Sequence, residues 1–208
     1  MIKRTMEELN RLSVEQFRQA DKLPLVVVLD NVRSQHNVGA VFRTSDAMCI
    51  EQVVLCGICC CPPNQELHKT ALGAEQSVEW QYYKETLEAV RALQAEGYTV
   101  YAVEQAHDSV TLEEIATVLQ QSGLTGSTAN GPIAQRSYSA AVNGDSHSPK
   151  MAVILGHEVF GVQQEVIDIC NGCIEIPQYG TKHSLNVSVT AGIVLYRLAS
   201  SLRLATKK

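Results

Sequence analysis

Near the end of the chain, a short apolar run leads through a polar loop into a long helix, and this arrangement constrains the fold most strongly. Residues 174–176 predict a buried strand that Pro177 ends. The loop contains Gly180, which allows backbone to come close to a ligand. The helix begins between Ser184 and Asn186. Its first apolar face carries Val187, Ala191, Val194, Leu198 and Leu202, and its second carries Val189, Ile193 and Tyr196. A helix that is apolar on two sides needs two packing surfaces, so we expect its own sheet on one side and a partner subunit on the other.

The composition is that of a packed soluble domain. The 208 residues are 45% hydrophobic and 19% charged, which suits one domain with a small appendage. Residues 1–12 carry acids and lack the apolar centre of a signal peptide. No apolar run approaches the length of a membrane span, so we expect a cytoplasmic protein without a membrane partner. The net charge of -5 argues mildly against a nucleic-acid binder but leaves room for a local basic patch.

The seven cysteines allow two interpretations. Two Cys-x-x-Cys pairs, Cys56 with Cys59 and Cys170 with Cys173, have the spacing of zinc ligands. The pairs are far apart in sequence, however, and each lies at the end of a predicted strand. Cysteine is also a small residue that is frequently buried. We predict no metal and keep a zinc site as an alternative.

Strands and helices alternate through the rest of the chain. The patterns predict strands at 25–29, 52–56, 78–81, 98–103 and 151–155, and helices at 38–48, 85–96, 112–120 and 163–169. One or two further helices are predicted within 3–21, where Thr5 with Glu8 and Ser13 with Gln16 form capping-box pairs. The fold class is therefore α/β, with a mostly parallel sheet of about six strands and helices on both faces.

The chain divides into two predicted parts. Residues 1–22 form a helical extension, and residues 23–208 form the main domain. Within that domain the composition shifts at 122–149 to Gly, Ser, Thr, Asn and Ala without an apolar period. A loop of this length is uncommon in a compact domain, so we expect a mobile insertion.

Ligands of parallel sheets bind at the carboxyl ends of the strands. Three polar loops fall at such ends, at 31–37, 156–161 and 178–186. The glycine-rich dinucleotide and P-loop signatures are absent from the sequence, as is the nucleophile elbow of hydrolases. A dinucleotide-binding fold, a P-loop protein and a hydrolase are therefore disfavoured.

These loops resemble the three motifs of the SpoU/TrmH family of RNA ribose 2′-O-methyltransferases, within the SPOUT superfamily. The first motif is Asn31 with Asn37-Val38-Gly39-Ala40-Val41-Phe42-Arg43-Thr44. The second is Leu155-Gly156-His157-Glu158 with Gly161. The third is Ile176-Pro177, Gly180 and Ser184-Leu185-Asn186-Val187-Ser188. Residues 69–74 also resemble a family segment, and the likeness covers about 25–204 apart from the insertion.

The resemblance implies a C-terminal trefoil knot, S-adenosyl-L-methionine as methyl donor, a homodimer, and structured RNA, either tRNA or rRNA, as substrate. The catalytic residues would be Asn37, Arg43, Glu158, Ser184 and Asn186. The residues that bind the cofactor would be Leu155, Gly156, His157, Ile176, Gln178, Gly180, Ser184, Leu185 and Asn186. His157 and Gln178 depart from the residues that the family commonly has at these positions.

The physical chemistry is compatible with these roles. Methyl transfer to a hydroxyl needs positioning and removal of one proton, and no metal. Glu158 could pair with Arg43, and glycines at 156 and 180 could admit the nucleotide. Taken singly, Asn37 and Asn186 could equally cap helices, and Arg43 could belong to a surface ion pair. Two alternatives to the enzyme stay open, a catalytically inactive knotted RNA-binding protein and a zinc or scaffold protein.

Overall fold

The computed structural model describes residues 1–5, 7–122 and 150–206. Seven strands form one sheet: β1 (Leu23–Asp30), β2 (Ile50–Cys56), β3 (Glu79–Tyr83), β4 (Thr99–Val103), β5 (Val110–Thr111), β6 (Met151–Leu155) and β7 (Gly172–Glu175). The strand order is β3-β2-β1-β6-β4-β7-β5, and all neighbouring strands are parallel. The predicted α/β class is confirmed, with seven strands where the sequence predicted about six. The strand that the sequence analysis missed is β5, which is too short for a periodic pattern.

The helices in this part of the chain are α1 (Val14–Gln19), α2 (Gln35–Met48), α3 (Gln65–Ala71), α4 (Ala74–Ser77), α5 (Thr86–Ala95), α6 (Leu112–Ser122), α7 (Gln164–Ile167) and α8 (Val187–Thr206). The helices α3 and α4 were not predicted, because one or two turns show no clear apolar period. Only a cap marks the start of α3, where the Asn64 side chain accepts hydrogen bonds from the N–H groups of Glu66 and Leu67.

One of the one or two helices predicted within 3–21 is present, and only one of the two capping-box pairs opens a helix. The Ser13–Gln16 capping box opens α1 as expected. Thr5 and Glu8 exchange the two predicted hydrogen bonds, at 2.7 and 3.3 Å, but they close a turn and not a helix. Phe17 of α1 is 6% exposed and belongs to the core. The boundary at residue 22 stays a prediction.

The core has two layers because alternate residues of each strand point to opposite faces. Leu25, Val27 and Leu29 of β1 pack in the layer that contains α2, α3, α6 and α8. Val26 and Val28 pack in the layer that contains α5 and α7. All five side chains are 0% exposed, so β1 is covered on both faces. The predicted insertion at 122–149 lies, apart from Ser122, outside the described residues.

Helix α8 has one buried and one exposed apolar face. Val194, Leu198 and Leu202 are 0% exposed and pack in the layer with α2 and α6. The segment Val187–Leu204 is long and apolar enough to cross a membrane by length and composition, which the sequence analysis did not anticipate, and 44% of it is buried inside the protein. Core helices of soluble proteins share these properties.

Candidate functional site

The carboxyl ends of β1, β6, β4 and β7 lie side by side in the sheet. The loops that follow β6, β4 and β7 surround a cavity of about 1160 Å³. Ligand pockets commonly measure about 300–1,000 Å³, so the cavity is large enough for a nucleotide-sized molecule. This arrangement is the one expected for an open parallel sheet.

Most of the residues predicted to bind a cofactor line this cavity. They are Leu155, Gly156, His157, Ile176, Gln178, Ser184, Leu185 and Asn186. Gly180 is outside the lining, and a Cβ atom added there would meet nothing within 4 Å. Of the predicted catalytic residues, Glu158, Ser184 and Asn186 line the cavity, while Asn37 and Arg43 do not.

Gly156 is needed for backbone packing. His157 and Gly161 form an antiparallel bridge, with N–H···O distances of 3.0 and 2.8 Å between their backbones. A Cβ atom on Gly156 would overlap the backbone of Gly161 and Val162. Gly156 thus lets two stretches of one loop approach each other. That Gly156 and Gly180 also let backbone approach a nucleotide stays a prediction.

Glu158 joins the second motif to the first. Its Oε2 accepts the N–H of Arg33 at 3.1 Å, and its Oε1 accepts the N–H of Ser34 at 2.9 Å and Nδ2 of Asn37 at 3.2 Å. Burial raises the pKa of Glu158, but hydrogen bonds from the backbone of Ser34, Glu158 and Arg33 and from the Asn37 amide lower the pKa more, so the net pKa lies below the usual carboxyl value. The group is therefore a carboxylate at neutral pH.

Asn37 joins the first motif to the third. Its Oδ1 accepts Nδ2 of Asn186 at 3.3 Å. Asn37 lies in the first turn of α2, whose N-cap is Ser34, so Asn37 is not the cap. The Asn186 side chain does cap α8, since its Oδ1 accepts the N–H of Ser188 at 2.9 Å and that of Val189 at 3.4 Å. Glu158, Asn37 and Asn186 thus form one chain of hydrogen bonds across all three motifs.

Arg43 lies away from this chain of hydrogen bonds. The suggested ion pair with Glu158 does not occur among the described residues, where the carboxylate accepts hydrogen bonds from Arg33, Ser34 and Asn37. Arg43 follows Asn37 by six residues in α2, which turns it by about 120° around the helix axis and moves it about 9 Å along it. Its side chain is exposed, and among the described residues it has no ion pair.

Sequence reasoning missed the loop after β4. Glu104, Gln105, Ala106 and His107 line the cavity. Glu104 Oε2 accepts the N–H of Val162 at 3.1 Å, and Gln105 Nε2 donates to the carbonyl of His183 at 2.8 Å. The loop resembles no family motif, but β4 itself was predicted. Applying the strand-end rule to every predicted strand would have found it.

A buried carboxylate organises the strand ends beneath the cavity. Asp30 is 0% exposed and accepts hydrogen bonds from Oγ1 of Thr86 at 2.6 Å and from the N–H and Nε2 of Gln163 at 3.1 and 2.9 Å. Nδ2 of Asn31 also donates to it, at 2.9 Å. These contacts satisfy the carboxylate and connect the end of β1 with the segments that begin α5 and α7.

The cysteines take part in packing and local hydrogen bonds. Cys59 Sγ donates to the carbonyl of Leu29 at 3.3 Å and accepts the N–H of Val32 at 3.1 Å. Burial raises the pKa of Cys56, Cys59 and Cys170 to about 12, so these groups are protonated thiols at neutral pH. Over residues 1–5, 7–122 and 150–206, no group of three or more metal-binding side chains comes together.

Comparison with known proteins identifies relatives along most of the chain. Over 193 residues it is 26% identical to the tRNA (guanosine(18)-2'-O)-methyltransferase of Thermus thermophilus, covering 93% of this chain and 83% of that protein. It is 28% identical over 203 residues to the 23S rRNA (guanosine-2'-O-)-methyltransferase RlmB of Vibrio parahaemolyticus, covering 97% of this chain and 68% of that protein.

The fold also matches solved structures. One is a TrmH/SpoU tRNA modifying enzyme of A. aeolicus, with a TM-score of 0.68 and 21% identity, covering 91% of this chain and 82% of that one. Another is an rRNA methyltransferase of Sinorhizobium meliloti with AdoMet bound, with a TM-score of 0.66 and 22% identity, covering 88% and 59%. At these identities the likeness establishes the fold. The model of the SpoU rRNA Methylase family matches residues 24–196. The chain therefore belongs to the SpoU rRNA methylase family.

Proposed function

We propose that this protein transfers a methyl group from S-adenosyl-L-methionine to a ribose 2′-hydroxyl of structured RNA, tRNA or rRNA. The observation that carries the proposal is the hydrogen-bonded chain Glu158–Asn37–Asn186 at the cavity, which unites three motifs distant in sequence. The relatives of this protein are named as 2′-O-methyltransferases of tRNA and of 23S rRNA. Asn186 and Arg43 are both present, which argues against an inactive RNA-binding protein.

The cavity has the chemistry that the cofactor requires. Leu155, Ile176 and Leu185 offer apolar contacts for an adenine ring, and polar backbone of the neighbouring loops offers hydrogen bonds. The bound cofactor supplies an activated methyl group. The backbone around Leu155, Gly156, Ile176 and Leu185 would hold its adenosyl part, with contacts from His157, Gln178 and Ser184. Gly180, which is outside the lining, is not assigned a contact.

The protein's own residues would orient the nucleophile. Both ends of the Asn37 amide are engaged, by Glu158 and by Asn186, so its orientation is fixed and Glu158 acts as a positioning residue. Arg43 is exposed, and RNA approaching from outside the cavity can reach it. A guanidinium stays protonated at neutral pH. We assign it to binding an RNA phosphate and the 2′-oxygen together, which stabilises the developing negative charge.

The exposed face of α8 supports a homodimer as part of this proposal. Val189, Ile193 and Tyr196 are 50%, 39% and 62% exposed and follow one another at the spacing of a single helix face. An apolar patch of this kind favours a partner surface. The family resemblance also leads us to propose a cytoplasmic location and a trefoil knot that includes the loop before α8. An experimental structure would test the knot through its chain trace and the dimer through its interface.

The direct test is transfer of labelled methyl from S-adenosyl-L-methionine to total RNA of cells that lack the protein, followed by nucleoside mapping. We expect the label in a 2′-O-methylnucleoside of tRNA or rRNA. Label in a methylated base would overturn the reaction. Binding of RNA without any transfer would favour the inactive RNA-binding protein.

A further inference from the structure

Among the described residues, three carboxylates line the cavity, those of Glu104, Glu158 and Glu175. Glu158 is engaged by the first motif, as described above. Glu175, at the end of β7, accepts the hydroxyl of Ser109 at 2.7 Å on the side of β5. Glu104, directly after β4, has no role in the hydrogen-bonded chain of the three motifs.

The Glu104 carboxylate is held in place by backbone. Its Oε2 accepts the N–H of Val162 at 3.1 Å, and its Oε1 accepts the N–H of Gln105 at 3.0 Å. Gly161 has a φ of 68°, and a Cβ atom there would collide with Glu104 Oε2. Each oxygen engaged by one N–H can accept a further hydrogen bond, since a carboxylate accepts about four. Within the described residues, no lysine or arginine pairs with it.

The strand order places Glu104 in the middle of the cavity wall. Strand β4 lies between β6 and β7, and the loops after those two strands are the ones assigned above to the adenosyl part. Gln105 connects this position to the loop before α8 through the His183 carbonyl. The reacting methyl must lie toward Glu158 and Asn37, on the side of β1. The group between the adenine and the methyl-bearing sulfur of the cofactor is the ribose.

We propose that Glu104 accepts hydrogen bonds from the two neighbouring hydroxyls of the cofactor ribose, and so makes the cavity selective for a ribonucleoside. This inference rests on the proposed function, because it assumes that the cavity binds the cofactor. In dinucleotide folds, an acidic side chain likewise accepts a hydrogen bond from a ribose 2′-hydroxyl. Two hydroxyl donors match the two carboxylate oxygens of a side chain that lines the cavity and that backbone N–H groups hold in place.

The experiment measures calorimetric affinity for S-adenosylhomocysteine and for its 2′-deoxy analogue. Loss of one hydrogen bond to a charged group should weaken binding of the deoxy compound to the wild-type protein by about tenfold. Glu104→Ala should bind both compounds within about twofold of each other, and Glu104→Gln should give an intermediate ratio. A purely structural role would weaken both compounds equally and leave the tenfold ratio intact. Thermal unfolding of each variant confirms that it is folded.

Glu175→Gln is the matched control, because it removes another carboxylate from the same cavity. It should keep the wild-type ratio. If Glu104→Ala keeps the tenfold ratio, or if Glu175→Gln loses it, the assignment to Glu104 is overturned while the proposed function stands. If the wild-type protein binds neither compound, both the proposed function and this inference fall.

Discussion

Asn186 donates a hydrogen bond from its side-chain amide to Oδ1 of Asn37 at 3.3 Å, although 149 positions separate the two residues. Through Asn37 the contact extends to Glu158, whose carboxylate receives two backbone N–H groups as well. The start of α8, the start of α2 and the loop after β6 are thereby held together at the cavity. Substitutions at this site should therefore have two distinct effects, one on the stability of the fold and one on the rate of methyl transfer.

Glu158→Gln should destabilise the fold by about 1–3 kcal/mol at neutral pH, because an amide cannot accept from all three donors. The folded pKa of Glu158 lies below the usual value of 4.5. Its stabilising effect is therefore present above that value and is lost as the pH falls through the folded pKa. Urea unfolding at several pH values should show the wild-type advantage shrinking below about pH 4.5. Glu79→Gln, on the edge strand β3, is the control and should show no such pH dependence. If the stability difference between wild type and Glu158→Gln were independent of pH, the role of the Glu158 carboxylate would be contradicted.

Arg43→Lys should lose methyl transfer nearly as completely as Arg43→Ala, because an ammonium cannot hold phosphate and ribose oxygen in one planar fork. We expect a loss of at least about a hundredfold, equivalent to about 2.7 kcal/mol of barrier. Cofactor affinity should survive in both variants, since Arg43 is outside the cavity lining. Single-turnover transfer beside calorimetric binding measures the two effects. Arg91→Ala, which changes an exposed arginine on α5, serves as control. Near wild-type turnover of Arg43→Lys would show that the bidentate role of Arg43 is wrong.

Ile193→Glu should convert a dimer into monomers. The side chain is 39% exposed between Val189 and Tyr196, and a carboxylate there would be buried without a partner in an apolar interface. Sedimentation at micromolar concentration gives the oligomeric state. Ala95→Glu places the same carboxylate on α5, at the opposite face of the sheet, and should leave the state unchanged. A wild-type protein that sediments as a stable monomer would refute the dimer.

Gly156→Ala should weaken cofactor binding and lower the stability of the fold by about 1–3 kcal/mol, because the added methyl group must displace backbone at Gly161 and Val162. Gly180→Ala is the paired variant, since its methyl group meets nothing within 4 Å. Its affinity should stay within about twofold of wild type. If Gly180→Ala weakened cofactor binding as much as Gly156→Ala does, the result would mean that the loop containing Gly180 closes over the ligand.

Much of this fold could be predicted from local patterns, and the limits have physical causes. The run 151–155 was predicted with its observed ends, because a strand buried on both faces is continuously apolar. The strand β5 is held by pairing of Val110 and Thr111 with β7, and such pairing leaves no trace in a two-residue segment. The helix α4 is likewise too short to show a period.

The candidate site, too, could be predicted only in part from the sequence. The motifs identified Glu158, Asn37 and Asn186, but only the structure shows that Glu158 binds Asn37 and not Arg43. The spacing of six residues places the two side chains about 120° apart on α2, but which of them meets the loop after β6 depends on how the helix packs. Glu104 was missed because its importance comes from the position of β4 between two strands that follow it in sequence.

The neighbours of β1 have a consequence for synthesis of the chain. On one side β1 pairs with β2, which follows it closely, and on the other side Leu25 pairs with Met151. At about 5–20 residues per second, the ribosome needs about 6–25 seconds to proceed from the end of β1 to the end of β6. Throughout that interval β1, most of whose side chains are apolar, presents an open edge, which is a template for pairing with other chains. The yield of folded protein in a cell should therefore depend on translation speed and on chaperones that cover this edge.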